Sequence, residues 1–326
     1  MTAKLSLSII IATRNNAQFI TEAIASVIDT MPEDCELIIV NDGSTDNSDQ
    51  IIKEQIKHHP RVVYHAQQQR GVSVARNEGI KLSNGEYVAF IDGDDALHCD
   101  FYNILMPKIR SQIYDIIAFK STRNYIEFSK VSSERMKIAE VVDYHTIMQE
   151  TFQSSYWQVW SRIFRRALIA NDRFPENLRY YEDVTFTPAQ YLKCTKICRL
   201  DKVLYYYRIN SSSITENHCK EDVEDMFHAL NSFIDYANKH NDKVDYIIPA
   251  VINCYIELRK KSRKMHGYYK YTTDELNIIK RVSELCTYRK SGKSQLKSFI
   301  KIKLYKLDIF VSKLKYLILN AFYKEK

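Results

Sequence analysis

Between residues 88 and 95 the chain reads Val-Ala-Phe-Ile-Asp-Gly-Asp-Asp, so an apolar strand runs directly into Asp92, Asp94 and Asp95. Carboxylates this close repel one another unless a cation sits among them. Hard divalent ions take oxygen ligands and commonly reach a protein through one or two carboxylates plus the phosphates of a substrate. The chemistry this invites is work on an activated nucleotide; taken alone, the octapeptide is equally an acidic turn closing a strand. A second acidic pair, Glu182 and Asp183, follows the aromatic and basic stretch Trp157 to Arg166. Two adjacent carboxylates push one pKa of the pair upward, which suits a base working near neutrality. The competing use of such a pair is to favour a helix N-terminus through its dipole.

Hydrophobic spacing supplies the elements that must position these acids. Leu5 to Ala12 is an isoleucine-rich buried strand, and Ala17 to Ile28 carries apolar residues on one helical stripe. Glu36 to Val40 forms a second strand, closed by the turn Asn41-Asp42-Gly43-Ser44-Thr45-Asp46, which can cap a helix from about residue 48 to 57. Arg61 to Tyr64 is a third strand, Val72 to Leu82 a helix and Tyr87 to Ile91 a fourth strand. Strands separated by helices of this length imply a parallel sheet covered on both faces. Ligands of such sheets bind at the carboxyl ends of the strands. Asn15, Asp42 and the Asp92–Asp95 loop all follow strand ends, so three loops can converge on one site.

With 326 residues, 45% of them hydrophobic, the chain can bury one large domain plus an appendage or two modest domains, and disorder is excluded as its general state. Seven cysteines show no paired metal-ligand spacing apart from Cys194 and Cys198, which fits a reducing cytoplasm and buried thiols rather than a structural zinc. The first apolar run is too short for a signal peptide, and no apolar run is long enough to cross a bilayer.

Four segments carry a resemblance: Ser8 to Asn15, Ile39 to Asp46, Gly71 to Gly79 and Gly85 to Asp95. In order and spacing they resemble the motifs of family 2 glycosyltransferases, inverting enzymes of the bacterial surface-polysaccharide type, over about residues 5 to 215. The resemblance implies a GT-A fold, a Rossmann-like, mostly parallel sheet with helices on both faces. About residues 1–100 would form its nucleotide half and 101–215 its acceptor half. It implies that Asp42 partners the nucleobase, with Thr13 and Arg76 lining the same pocket. Asp94 then binds manganese or magnesium, while Asp92 faces the ribose or the metal's water. Asp183, beside Glu182, is the implied base that takes the acceptor hydroxyl proton. In the similar patch from Leu204 to Thr215, Arg208 clamps the diphosphate. His218 either completes the metal shell or is an exposed loop residue. Trp157 and Tyr181 are candidates to stack on acceptor sugars, although aromatics at helical spacing also build cores.

After about residue 216 the pattern changes to helices without glycine, so residues 216–326 form a helical C-terminal region. From Cys286 to Lys326 there are 11 Lys or Arg against 2 Asp or Glu, a balance of +9 beside +7 for the whole chain. Apolar residues from Leu296 to Ile318 recur every three or four positions between the lysines. That pattern fits a basic amphipathic helix in an anionic membrane interface, and equally a helix packed on the catalytic domain or on a second subunit. No nucleic-acid module accompanies the charge. The reading is a metal-dependent glycosyltransferase that moves a sugar from a nucleotide sugar, expected to be a UDP-sugar, to a glycan or lipid-linked saccharide at the inner face of the cell membrane. Two alternatives are a catalytically silent nucleotide-binding protein on the same scaffold and a sugar nucleotidyltransferase. The paired acids speak against the first, and the missing glycine-rich, lysine-bearing phosphate loop against the second.

Overall fold

The computed structural model describes residues 5–129, 139–210, 219, 221–266, 277, 280 and 281. His218 and the apolar stripe from Leu296 to Ile318 lie outside the described residues. The chain divides into two compact units, and the division is not sequential: one holds Met1–Met148 and Trp157–Asn217, the other Gln149–Tyr156 and His218–Lys326.

The first unit opens with strictly alternating elements: β1 (Leu7–Thr13), α1 (Ile20–Ile28), β2 (Cys35–Asp42), α2 (Ser48–Ile56), β3 (Val62–Gln67), α3 (Val72–Leu82) and β4 (Tyr87–Asp92). Every residue of β1 and β2 is buried, as strands covered on both faces must be. The chain continues through β5 (Ala96–Leu97), α4 (Phe101–Ser111), β6 (Ile116–Thr122), α5 (Tyr125–Phe128), β7 (Glu140–Val141) and α6 (Tyr144–Ser154). A 3-10 turn (Val159–Ser161) leads into β8 (Arg162–Arg165), α7 (Arg166–Ile169), α8 (Glu182–Lys193) and β9 (Ile197–Tyr206).

Among the described residues nine strands form one sheet in the order β3-β2-β1-β4-β8-β6-β9-β5, with β7 on β9. The first four are parallel, and beyond β4 the sheet is mixed: β8 runs antiparallel to both β4 and β6, while β6 and β9 are parallel. From β1 the chain moves to β2 and β3 on one side, then crosses to β4 on the other, so the order reverses between β1 and β4. Their carboxyl ends, where Ala12 pairs with Asp92, mark the crevice in which open α/β sheets bind ligands.

Helix and strand approach closely beneath this end. A Cβ on Gly79 of α3 would stand 2.4 Å from Ile10 Cγ2 in the middle of β1. At the opposite ends of the strands, the buried Ser8 hydroxyl donates to Glu36 Oε1 at 2.6 Å and accepts from Gly85 N at 2.7 Å, tying β1, β2 and the start of β4 together. The second unit consists chiefly of α9 (Glu221–Lys239) and α10 (Val244–His266), whose apolar stripes are buried from Val223 to Ala237 and from Val244 to Leu258. In that unit Asn253 Nδ2 donates to Gln153 O at 2.8 Å and to Ser155 Oγ at 3.1 Å.

Candidate active site

Three loops at the strand ends are laced to one another by short polar side chains. Asn15 adopts a left-handed backbone (φ 54°), and its Oδ1 accepts from Thr45 N at 2.8 Å. Asn16 N and Ala17 N donate to Ser48 Oγ and Asp46 Oδ2 at 2.9 and 3.0 Å. Gly93, between the first two acids, is required by space: a Cβ there would meet Thr13 Oγ1 at 2.3 Å. Thr13 is buried, and its hydroxyl accepts from Asn16 Nδ2 at 3.1 Å. Asp42 is buried too. Its Oδ1 accepts from Gln67 Nε2 and Arg70 N at 2.7 and 2.8 Å, and its Oδ2 accepts from Gly71 N at 2.8 Å. The carboxylate therefore also builds the turn that launches α3.

From α3, Arg76 reaches both acidic motifs. The guanidinium donates to Asp92 Oδ1 at 2.8 Å and to Glu182 Oε1 at 2.6 Å, with its side chain 6% exposed. Burial works against this cation, but the two carboxylates more than offset it and its pKa rises. Its fork thus joins the two acidic motifs across the site. Asn77, which the sequence reading passed over inside the Gly71–Gly79 motif, does similar work. Its Oδ1 accepts from Phe174 N at 2.8 Å and its Nδ2 donates to Phe174 O at 3.0 Å. Phe174 stacks on Phe186 with centroids 3.9 Å apart, which anchors the segment leading into α8.

Glu182 and Asp183 form the first turn of α8 behind Tyr181, whose backbone is left-handed (φ 67°). A tyrosine in that region costs on the order of 1 kcal/mol or more. With Glu182 paired to Arg76, Asp183 forms no ion pair among the described residues. Burial first, then the Glu182 charge, push its carboxyl up to about 7.

On the other side of Asp92 the acids diverge. Asp95 is a brace: Tyr205 donates its hydroxyl to Oδ2 at 2.6 Å and Arg208 N donates to Oδ1 at 2.8 Å. Asp94 Oδ2 accepts from Asn210 Nδ2 at 3.0 Å, and burial, together with the Asp92 charge, raises its pKa. A carboxylate whose charge its surroundings disfavour fits a place for a hard cation. The acidic loop does not build a cage by itself. Among the described residues only His98, Cys99 and Asp100 bring three ligand atoms within 4.8 Å. An ion at Asp94 would therefore need ligands beyond the described carboxylates.

Arg208 donates through Nε to the Asp94 carbonyl oxygen at 2.7 Å and through a terminal nitrogen to Glu22 Oε2 at 2.5 Å, with its guanidinium 5.0 Å from the Phe19 and Tyr206 ring centroids. It stands beside the acidic loop. Trp157 does not suit the sugar-stacking role: it is 3% exposed and packs edge-on against the buried Tyr191 at 6.4 Å. Tyr181 is partly accessible next to the acid pair. The structure thus brings Thr13, Asp42, Arg76, Asp92, Asp94, Glu182, Asp183 and Arg208 to one end of the sheet. It adds Asn77, Tyr205 and Asn210, of which Tyr205 and Asn210 lie in the Leu204–Thr215 patch.

An end of the sheet that gathers Asp92, Asp94, Glu182, Asp183 and Arg208 has the groups to bind a nucleoside diphosphate and accept a proton. Comparisons with known proteins agree. EpsJ of Bacillus subtilis, an uncharacterized glycosyltransferase, is 31% identical over 216 residues, 64% of this chain and 63% of that protein. The minor teichoic acid biosynthesis protein GgaB of the same organism is 28% identical over 262 residues, 75% of this chain and 28% of that one. The chain spans less than two thirds of the length of either relative. Among solved structures, TarS 1–349 of S. aureus in complex with UDP-GlcNAc superposes with a TM-score of 0.64 at 22% identity, over 86% of this chain and 80% of that one. That likeness shows the fold, GT-A. Residues 8–172, from β1 through the acidic loop to the segment before α8, match the family described as Glycosyl transferase family 2, and on that match over half its length the chain belongs to this family.

Proposed function

We propose that the protein is an inverting glycosyltransferase that moves a sugar from a UDP-sugar to a glycan or lipid-linked saccharide during cell-surface polysaccharide synthesis. The observation that carries the reading is the place of Asp183 beside Glu182, which Arg76 ties to Asp92, while burial and the Glu182 charge raise the Asp183 pKa. In one displacement, an acceptor hydroxyl oxygen bonds to the anomeric carbon while the bond to the UDP oxygen breaks. The electron pair leaves with the diphosphate and the hydroxyl proton passes to Asp183. Asp42 and Thr13 hold the nucleoside end, and Arg208 faces the diphosphate. A manganese or magnesium ion held by Asp94 would supply charge neutralisation on the diphosphate.

The TarS complex with UDP-GlcNAc supports a uridine donor, and GgaB supports a surface-polymer setting. The deciding experiment screens a panel of nucleotide sugars for hydrolysis and transfer, with and without manganese; no turnover of any donor overturns the reading. Among the described residues no helix is long and apolar enough to cross a membrane. We assign membrane attachment to the basic tail. Truncation after Ser291 should abolish co-sedimentation with anionic vesicles and leave donor hydrolysis intact, and a full-length protein that ignores such vesicles sinks this part.

A further inference from the structure

Much of what holds the acidic loop comes from one segment far downstream. The loop leaves β4 at Asp92 and enters β5 at Ala96, which pairs with Tyr206 of β9. From that strand the Tyr205 hydroxyl reaches both ends of the loop: it accepts from Asp92 N at 3.2 Å and donates to Asp95 Oδ2 at 2.6 Å. Asp95 N donates to Asp92 O at 3.1 Å, closing the turn from within, and Arg208 N donates to the other Asp95 oxygen at 2.8 Å. Just past β9, Arg208 Nε and Asn210 Nδ2 donate to the carbonyl oxygen and to Oδ2 of Asp94, the residue between these two anchors.

The Tyr205 ring is itself fixed. It is fully buried and stacks on Trp160 with centroids 4.5 Å apart and planes 11° from parallel. A hydroxyl on a ring so clamped cannot follow the loop, so the loop must conform to it. Asp95 is 1% exposed and spends both carboxylate oxygens inward, which makes it the joint between loop and strand. The partners behind metal ligands set how those ligands point, and losing one costs about ten- to a hundredfold in metal affinity.

We infer that Tyr205 is a positioning residue for the metal: through Asp92 N and the Asp95 carboxylate its hydroxyl fixes where Asp94 presents its own carboxylate to manganese or magnesium, without touching the ion. The inference rests on the metal role proposed above for Asp94. A purely structural hydroxyl at this place would lower stability and leave metal affinity alone.

Tyr205→Phe removes the hydroxyl and keeps the stacked ring. Tyr102→Phe is the control, because Tyr102 is also buried and spends its hydroxyl on one bond, to Val27 O at 2.9 Å. Asp95→Asn is a second route to the same joint: an amide has one acceptor oxygen for the two donors that the carboxylate serves. Manganese binding to each full-length protein, alone and with UDP, is measured from the free-ion signal in electron paramagnetic resonance. Tyr205→Phe and Asp95→Asn should bind manganese about ten- to a hundredfold more weakly, while Tyr102→Phe stays within about twofold of wild type. UDP binding in chelator should be unchanged in all three, and donor turnover by Tyr205→Phe should recover as manganese is raised. Wild-type manganese affinity in Tyr205→Phe overturns the inference, as does equal weakening by Tyr102→Phe, which would mean general loosening of the core. If Tyr205→Phe does not fold, wild-type affinity in Asp95→Asn overturns it. A wild-type protein that binds no manganese, with or without UDP, removes the metal role and this inference together. If no nucleotide sugar is turned over but the Tyr205-dependent manganese binding persists, the glycosyltransferase reading falls and the positioning role stands.

Discussion

Asp183→Asn should make the protein more stable and inactive at once. In the folded chain the Asp183 carboxyl is pushed from its ordinary 3.8 up to about 7 by burial and by Glu182. The folded state therefore keeps a proton that the unfolded chain has already shed, and this group's contribution to stability falls as pH rises from about 4 to about 7. A shift of this size is worth at most about 4 kcal/mol at pH 8. Partial solvent access at Asp183 reduces it to about 2 kcal/mol, and the lost attraction between a carboxylate and the α8 N-terminus takes back up to about 1 kcal/mol. The amide is neutral at every pH, so the variant should gain roughly 1 kcal/mol at pH 8, or about 2–4 °C in melting temperature for a domain of this size, and nothing at pH 4. Melting curves of the metal-free protein across pH 4–8 measure this directly. Transfer should collapse while donor affinity stays within a few-fold. A melting difference that does not grow with pH, or transfer at the wild-type rate, refutes the assignment of Asp183 as the base.

Asp94→Ala should lower turnover at least about a hundredfold with the fold intact, the scale of losing one preorganised electrostatic group, and full wild-type activity in chelator would sink the metal role. Arg76→Lys replaces a fork with a point charge that cannot bond Asp92 and Glu182 together. Loss of one charge-assisted hydrogen bond, ~1.5–3 kcal/mol, should cut kcat about ten- to a hundredfold with donor KM little changed, and steady-state kinetics decide it. Gly79→Ala, a change that usually stabilises a helix, should here lower the melting temperature by a few degrees, because the new Cβ lands on Ile10 and overpacking costs ~1–3 kcal/mol.

How much of this was legible beforehand depends on range along the chain. The inner strands of the parallel half announce themselves because both faces are covered and nearly every residue is apolar, as in Ile9–Ile11 and Leu37–Val40. β8 does not: it has four residues, two of them arginines, and it is a strand because β4 and β6 flank it. In the site, the acids were visible as local clusters. What joins them was not. Arg76 meets Glu182 across 106 residues, and nothing local announces that partnership. Trp157 misled for the opposite reason, since a tryptophan beside polar residues looks the same whether it faces a ligand or Tyr191.

The non-sequential second unit has a consequence for the nascent chain. Gln153 and Ser155 leave the ribosome long before Asn253, which bonds both of them from about 100 residues downstream. At ~5–20 residues per second, roughly 5–20 s of synthesis separate them. For that interval the end of α6 has no partner from α10, while the strands of the parallel half have already emerged. A stalled or prematurely terminated chain ending before α10 would therefore carry an unfinished segment in its middle, a mark by which quality control could tell it from the completed protein.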